Sequence, residues 1–183
     1  MAFIQMLYAI MKTLIINIVL LSLTNQIFGQ LSFNKSNVSD KILTSVYALD
    51  EVTSNPNFEN IDSLRSEYSD LIWIKLPYAN DVELKELTNY KNKFVRLQAF
   101  DLLLNWRKNK NHLVLQILEK NINDTIDKVD KLEGCLLYNF TVYERMLDMT
   151  KNKVDYEKEK NRKSYFTKEE NLKWIELRKL IKG

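Results

Sequence analysis

A histidine and several carboxylates in the middle of the chain are the residues whose types could do chemistry. His112 precedes Asp127 and Glu133 in the sequence, and a histidine held beside a carboxylate can act as a general base, as in many hydrolases. His112, however, falls on the polar side of its predicted helix, near the N-terminal end, where a solvated surface histidine is the simpler interpretation. We therefore keep a small hydrolase-type enzyme that uses His112 with nearby carboxylates as the alternative function.

The other candidates for metal or nucleophilic chemistry have unsuitable spacings. Glu119, Asp124 and Asp127 could bind a cation, but they do not match the alternating ligands of an EF-hand loop, so we expect Asp124 to cap a helix end. Cys135 is the single cysteine, and Gly134 beside it supplies neither a base nor an oxyanion-binding group. One cysteine and one histidine cannot form a Cys/His metal cluster. We predict no catalytic residue, no metal site and no cofactor.

Composition limits the class of protein. The chain has 183 residues, of which 45% are hydrophobic, and this is enough for one domain with a packed core. Three glycines and two prolines favour helices over a turn-rich β-sandwich. The formal net charge of +3 is too small to indicate nucleic-acid binding. We therefore expect a helical domain that binds no nucleic acid.

Residues 1–29 have the order of features found in signal peptides. Lys12 supplies a positive charge, residues 13–23 are apolar, and a small residue ends the segment. We predict export to the periplasm or the extracellular space, with Gln30 as the first mature residue.

Two alternatives remain open for this segment. Residues 1–10 add no positive charge, so translation could begin at Met11. Residues 13–28 could instead remain as an uncleaved membrane anchor, although their length is marginal for a span. Only in that case do we expect the membrane to be a partner.

The segment from Phe94 to Arg107 organises the predicted domain. At about 100° per residue, its apolar side chains fall into two stripes separated by a polar line. The first stripe contains Val95, Ala99, Leu102, Leu103 and Trp106, the second contains Leu97, Phe100 and Leu104, and the polar line contains Gln98, Asp101 and Asn105. A helix with two apolar sides needs neighbours on both, so we expect an inner helix of a layered bundle.

Shorter helices are predicted on both sides of this segment. Before it, Asp81 can cap a helix that buries Leu84 and Leu87, and residues 89–92 form a polar turn. After it, residues 112–122 repeat the pattern of a broad apolar arc and a polar line. The centre of the chain is therefore predicted to be three consecutive helices.

The first two of these helices resemble one repeat of the HEAT family. The similarity rests on Leu84 and Leu87, then the polar turn, then Val95-Arg96 with Ala99 following on the second helix. Only one clear unit is present, whereas a solenoid needs about three or more, so we expect a hairpin within a bundle. The resemblance implies a helical packing or protein-binding module without chemistry. It also singles out Arg96, which we expect to bond to backbone carbonyls or to a carboxylate in the turn.

In two of the remaining segments, helix and strand compete. Residues 41–52 have helical spacing, but residues 71–76 suit either a buried helix end or a strand. In residues 135–143, alternating apolar and polar side chains favour a strand. A capping box of Thr141 and Glu144 favours a helix there, which is the interpretation we prefer.

Charge and capping signals define the C-terminal part. Residues 151–164 are highly charged, and we predict a solvated loop or a frayed helix. Thr167 begins a capping box and a final helix, which we interpret as a closing core helix, with a docking helix for a partner as the alternative. One face of this helix carries Trp174, Leu177, Leu180 and Ile181, and the opposite face carries Leu172 and Ile175.

These observations predict an all-α fold, a compact multi-helix bundle with a HEAT-like helical hairpin at its centre and, as an open alternative, a short β segment near residues 135–143. Residues 1–29 form the signal peptide or membrane anchor, residues 30–39 a flexible mature N-terminus and residues 40–183 a single α-helical domain. We expect an exported, non-enzymatic protein that binds an unidentified protein partner in the bacterial envelope. The candidate structural or interaction residues are Arg96, Trp106 and Trp174.

Overall fold

The computed structural model describes residues 32–53, 76–107, 110–124, 127–133, 136–160 and 164–180. All of them belong to the unit Ser32–Gly183. The predicted signal peptide, its alternative as an anchor, and residues 71–75 of the ambiguous segment lie outside the described residues. Within the described ranges, none of the helices has the length and apolarity needed to cross a membrane.

Six α-helices and a two-stranded sheet make up the described part of the chain. The helices are α1 (Asp40–Thr53), α2 (Asp81–Leu87), α3 (Lys93–Asn105), α4 (Asn111–Lys120), α5 (Val142–Glu159) and α6 (Lys168–Lys179). The strands β1 (Lys128–Glu133) and β2 (Leu136–Thr141) lie between α4 and α5, and short 3-10 helices cover Lys35–Asn37 and Leu76–Tyr78. The predicted all-α bundle with a short β segment is confirmed.

Helix α3 is buried on both of its apolar sides, as predicted. Leu97, Phe100 and Leu104 of the second stripe are 3%, 0% and 2% exposed, and the first stripe is buried as far as Leu103. α3 packs against α2 and α5 and also contacts α1 and α4. Burial of both stripes makes α3 the centre of the hydrophobic core. The exception is Trp106, which follows the last helical residue and is exposed.

Helices α2 and α3 and the turn between them lie where the hairpin was predicted. The N-cap of α2 is Asn80 rather than Asp81, because the Asn80 side chain accepts hydrogen bonds from the N–H groups of Val82 and Glu83. Glu83 completes a capping box by accepting from the N–H of Asn80 at 2.7 Å. Nothing in these helices identifies a HEAT repeat, so that resemblance stays a prediction.

The strand and helix signals in residues 135–143 are used one after the other. β1 and β2 form an antiparallel hairpin in which Lys128 lies opposite Thr141. Thr141 is also the N-cap of α5 and forms the predicted capping box with Glu144. Our preference for a helix over the whole segment is therefore wrong, because the helix begins only where the hairpin ends.

Helix α5 includes residues that we predicted to be a solvated loop or a frayed helix. It continues without a break to Glu159. Lys153 and Glu157, one turn apart, form an ion pair at 3.0 Å, and Val154 packs against the core. These contacts on two sides of the helix explain why the charged sequence remains helical.

Residues 32–39 contact α2 through its two glutamates. Glu86 accepts a hydrogen bond from the N–H of Asn34 at 2.6 Å, and Glu83 accepts one from the N–H of Ser39 at 2.9 Å. These bonds position the start of α1 against the start of α2. The flexibility of the mature N-terminus stays a prediction.

Candidate functional site

The candidate catalytic residues are not brought together. His112 is exposed at the start of α4. Glu119 pairs with Lys173 of α6 at 2.6 Å, and the two aspartates that follow α4 pair with an arginine. The side chain of Glu133 and all of Cys135 lie outside the described residues. Within the described ranges, no group of three or more His, Cys, Asp or Glu side chains could hold a metal ion.

Arg96 is buried, at 5% exposure, and pairs with two carboxylates. Its Nη2 lies 3.1 Å from Asp124 and 2.5 Å from Asp127. Burial raises the pKa of Asp124, and this effect exceeds the opposing effect of the Arg96 charge. The carboxylates belong to the connection after α4, rather than to the turn before α3 that we considered. This cluster ties α3 to that connection and offers no exposed group for a ligand.

Trp174 lies in the core and is 3% exposed. Its ring centroid is 5.9 Å from that of Phe166, and the guanidinium of Arg178 lies 5.5 Å from the same ring. One turn along α6, the carbonyl of Leu177 accepts a hydrogen bond from the hydroxyl of Tyr143 at 3.3 Å. Burial raises the pKa of Tyr143 to about 12. Trp174 therefore stabilises the fold and is not presented to a partner.

A different group of apolar side chains is exposed where α2 begins and α3 ends. Tyr78, Val82 and Trp106 are 73%, 64% and 58% exposed. Tyr78 ends the 3-10 helix before α2, Val82 lies in the first turn of α2, and Trp106 is the C-cap of α3. We call these three residues the Trp106 surface. Exposed apolar groups of this size, close together, are typical of interaction sites.

Arg107 joins the elements that carry the Trp106 surface. Its guanidinium donates hydrogen bonds to the carbonyl oxygens of Pro77 at 2.8 Å and Ala79 at 2.6 Å, and its Nε lies 3.3 Å from Asp81. The ammonium of Lys110 lies 2.7 Å from the same carboxylate. Because Arg107 directly follows the exposed tryptophan, these bonds place the end of α3 beside the start of α2.

The Trp106 surface lies on a well-packed base. Leu76 and Ala79, in the same stretch as the exposed tyrosine, are both 0% exposed. Glu83 is buried beneath the first turn of α2. Burial alone would raise the pKa of Glu83, but hydrogen bonds from Ser39 and Asn80 together lower it below its usual value. The exposed side chains therefore project from a fixed backbone, which reduces the conformational entropy lost on binding.

A second exposed apolar surface lies on α6. Leu172 and Ile175, on the face opposite Trp174 as predicted, are 62% and 40% exposed. Leu180 is 61% exposed, although we placed it on the buried face, because it follows the last residue of the helix. Ile181 lies outside the described residues. This surface belongs to one helix and contains no aromatic side chain, so it is a weaker candidate than the Trp106 surface.

An open groove of about 320 Å³ lies between α3 and α5. It follows the polar line of α3, and its ion-pairing groups are engaged within the protein, since Asp101 accepts a hydrogen bond from Asn105 and Lys153 pairs with Glu157. The groove therefore has the character of a solvated channel between two helices. Its lining residues are Asp101, Asn105, Met149, Asn152, Lys153 and Tyr156.

The sequence singled out Trp106 but missed the other two members of its surface. We placed Trp106 in the first apolar stripe, but α3 ends at Asn105 and the tryptophan leaves the helical line. Val82 could have been found, because on a helix it lies about 200° from Leu84 and so points away from the buried face. No comparable pattern marks Tyr78.

No family model, no curated protein and no solved structure matches this chain. Its function is therefore argued from its own geometry, in which the Trp106 surface is the feature with the composition and rigidity of a binding site.

Proposed function

We propose that this is a non-enzymatic, exported helical protein that binds another protein in the bacterial envelope through the Trp106 surface. The observation that carries the proposal is the joint exposure of Tyr78, Val82 and Trp106 at one end of the α2–α3 hairpin. Tryptophan, tyrosine and arginine are the residue types most enriched among those that dominate binding energy, and Arg107 supplies the third type. The resemblance of the hairpin to a protein-binding repeat agrees with this function.

Binding would bury side chains that folding leaves in water. A large aromatic side chain can bury about 150–250 Å², and each Å² of apolar surface removed from water contributes about 25 cal/mol. Tyr78 and Trp106 can therefore anchor an interface. A complete interface covers about 800 Å² on each partner, so neighbouring polar and charged side chains would form its rim.

Catalysis by His112 is the competing proposal, and no contact among the described residues favours it. A general base needs a partner that orients it and a site that excludes water. His112 is exposed, while Glu119 pairs with Lys173 and the aspartates after α4 pair with Arg96. These arrangements support a binding function in preference to a hydrolase.

The binding function can be tested by site-specific crosslinking in cells of the source bacterium. A photoreactive phenylalanine analogue replaces Trp106 in one variant, Val82 in a second and Leu172 of α6 in a control. Leu172 is 62% exposed and Trp106 is 58% exposed, so the positions are matched in accessibility. We expect the same protein adduct from positions 106 and 82 and none from position 172. No adduct at 106 and 82, or equal adducts at all three positions, would contradict the proposal.

The proposed export depends on residues 1–29, whose charge and apolar run are those of a signal peptide. Mass spectrometry of the protein from periplasmic and culture fractions tests it. We expect a mature N-terminus at Gln30. A protein that retains residues 13–28 and is recovered with the membrane fraction would support the anchor instead.

A further inference from the structure

Resting on the binding function proposed above, we infer that the protein partner presents acidic side chains around an apolar centre. The charged side chains next to the Trp106 surface are predominantly cationic, whereas the chain as a whole has a formal net charge of only +3. The cations are Lys41, Lys85, Arg107 and Lys110, and the carboxylate among them is Asp81.

Each cation has a defined position relative to the exposed apolar side chains. The ammonium of Lys41 lies 5.4 Å from the centroid of the Tyr78 ring. Lys85 is exposed on α2 three residues after Val82, so the two lie on neighbouring turns of the same side of the helix. The other two cations lie beside Trp106, where they pair with Asp81. The positive charges therefore surround the apolar centre.

The carboxylates near this surface are already engaged. One oxygen of Asp81 lies 3.3 Å from Nε of Arg107, and the other lies 2.7 Å from Nζ of Lys110. Glu83 and Glu86 of α2 accept hydrogen bonds from residues 34–39, on the side of the helix that faces the N-terminal segment. A partner approaching Trp106 therefore meets net positive charge.

Charges of this kind act on partner choice and association rate. Complementary charges at the rim of an interface steer the encounter and exclude partners of like charge, and salt screens them over about 8 Å at physiological ionic strength. Lys41 and Lys85 are exposed, so they act as rim charges rather than as buried ion pairs. The apolar centre supplies binding energy, and the cationic rim selects an acidic partner.

Anionic lipids also attract surfaces with aromatic and basic side chains, but this surface suits a protein better. Helices that lie in a membrane interface present a long apolar face, whereas α2 has seven residues and exposes Val82 in its first turn. In addition, Asp81 is 32% exposed in its side chain and lies between the two cations nearest Trp106, where it would face lipid phosphates.

Selection from a phage-displayed library of random peptides tests the inference with the purified full-length chain. Peptides are selected on the wild type and counter-selected on the Tyr78→Ser/Trp106→Ser variant. We expect enriched peptides that combine an aromatic or aliphatic residue with several Asp or Glu residues. Their affinity should fall about tenfold between low and high salt, because screening weakens rim charges.

A charge-reversal variant separates the rim from the apolar centre. Lys41→Glu/Lys85→Glu changes two cations that make no ion pair within the described residues, and Lys168→Glu/Lys179→Glu on α6 gives the same change in net charge as a control. The rim variant should weaken the selected acidic peptides about tenfold or more, and a new selection on it should enrich basic peptides. The α6 variant should bind as the wild type does.

The outcomes distinguish this inference from the function on which it rests. Peptides that need Tyr78 and Trp106 but show no acidic preference, or that bind the rim variant unchanged, overturn the acidic partner and leave the binding function in place. Absence of any peptide that depends on these two residues counts against both. Sedimentation with vesicles of phosphatidylglycerol and phosphatidylethanolamine provides a further arm, and vesicle binding that requires Trp106, without peptide binding, overturns the inference in favour of a membrane.

Discussion

The tryptophans of the two ends of the bundle contrast in environment although each has an arginine beside it. Trp174 of α6 is 3% exposed, and Trp106 at the end of α3 is 58% exposed. The guanidinium of Arg178 lies over the ring of Trp174, whereas that of Arg107 turns away from its tryptophan to bind the backbone before α2. The first arginine covers a core side chain, and the second fixes a frame from which a side chain is exposed.

The difference arises from position relative to the helix end. Trp174 lies in the middle of α6, so the helical period directs it to the same face as buried Leu177. Trp106 follows the last residue of α3, where the backbone departs from the helix and no longer continues the apolar stripe. The same residue type therefore contributes to folding in one region and remains available for binding in the other.

The largest expected effect is that of truncating the buried tryptophan. Trp174→Ala should lower the free energy of unfolding by about 3–5 kcal/mol, because it leaves a cavity beside Phe166. Urea denaturation followed by far-UV circular dichroism measures the loss. Leu172→Ala on the exposed face of α6 is the control and should change the free energy by no more than about 0.5 kcal/mol. If Trp174→Ala does not fold, Trp174→Leu provides a measurable intermediate loss, and similar small losses for all three variants would refute the contrast.

The next effect concerns the two arginines. Arg107→Ala leaves the carbonyls of Pro77 and Ala79 without this donor, so the free energy of unfolding should fall by about 1–3 kcal/mol. Crosslinking from position 82 should decrease as well, since the frame of the Trp106 surface is loosened. Arg178→Ala removes a cation–π contact at the protein surface and should cost about 0.5–1 kcal/mol without affecting crosslinking. Equal crosslinking from both variants would show that Arg107 does not position the surface.

Two capping-box glutamates provide a comparison that depends on pH. Glu83 is buried, and its pKa is lower in the folded protein than the ordinary value of 4.5. Its ionised form therefore stabilises the fold above that ordinary value, and the stabilisation is lost as the pH falls through the folded-state pKa. Glu83→Gln should lower the free energy of unfolding by about 1–2 kcal/mol at neutral pH, because one hydrogen bond from Ser39 or Asn80 meets an amide N–H instead of an oxygen.

The matched variant in the other region is Glu170→Gln, in the capping box of α6. Glu170 accepts one hydrogen bond, from the N–H of Thr167 at 2.9 Å, in an exposed setting, so we expect a smaller loss of about 0.5 kcal/mol. Urea denaturation at several pH values checks both. The difference between wild type and Glu83→Gln should diminish on acidification, and a difference independent of pH would rule out the ionised carboxylate as its source.

Local patterns were sufficient to predict the parts of the fold that depend on neighbouring residues. The two apolar stripes predicted that α3 is enclosed, and capping boxes at Thr141 and Thr167 marked the starts of α5 and α6. Each signal involves residues within a few positions of one another. The error at residues 135–143 has the same origin, since two correct local signals overlapped and we extended one over both.

The binding surface depended on contacts that no local pattern encodes. Arg107 bonds to backbone atoms about thirty residues earlier, and Arg96 bonds to aspartates about thirty residues later. Such pairings are set by how the helices pack, because the same side chains have many other partners within reach of the unfolded chain. Exposure of Tyr78 and Trp106 is a result of that packing, and it could be read only from the folded structure.

The smallest expected effect on stability is also the most informative about function. Trp106→Ala should change the free energy of unfolding by no more than about 0.5 kcal/mol, because the side chain is largely in water in the folded protein. Circular dichroism during urea denaturation measures this, and the crosslink from position 82 in the same variant measures binding. We expect the crosslink to be lost while the stability stays at the wild-type level. A loss of stability above about 2 kcal/mol would place Trp106 in the core with Trp174, and the exposed frame would then need a different explanation.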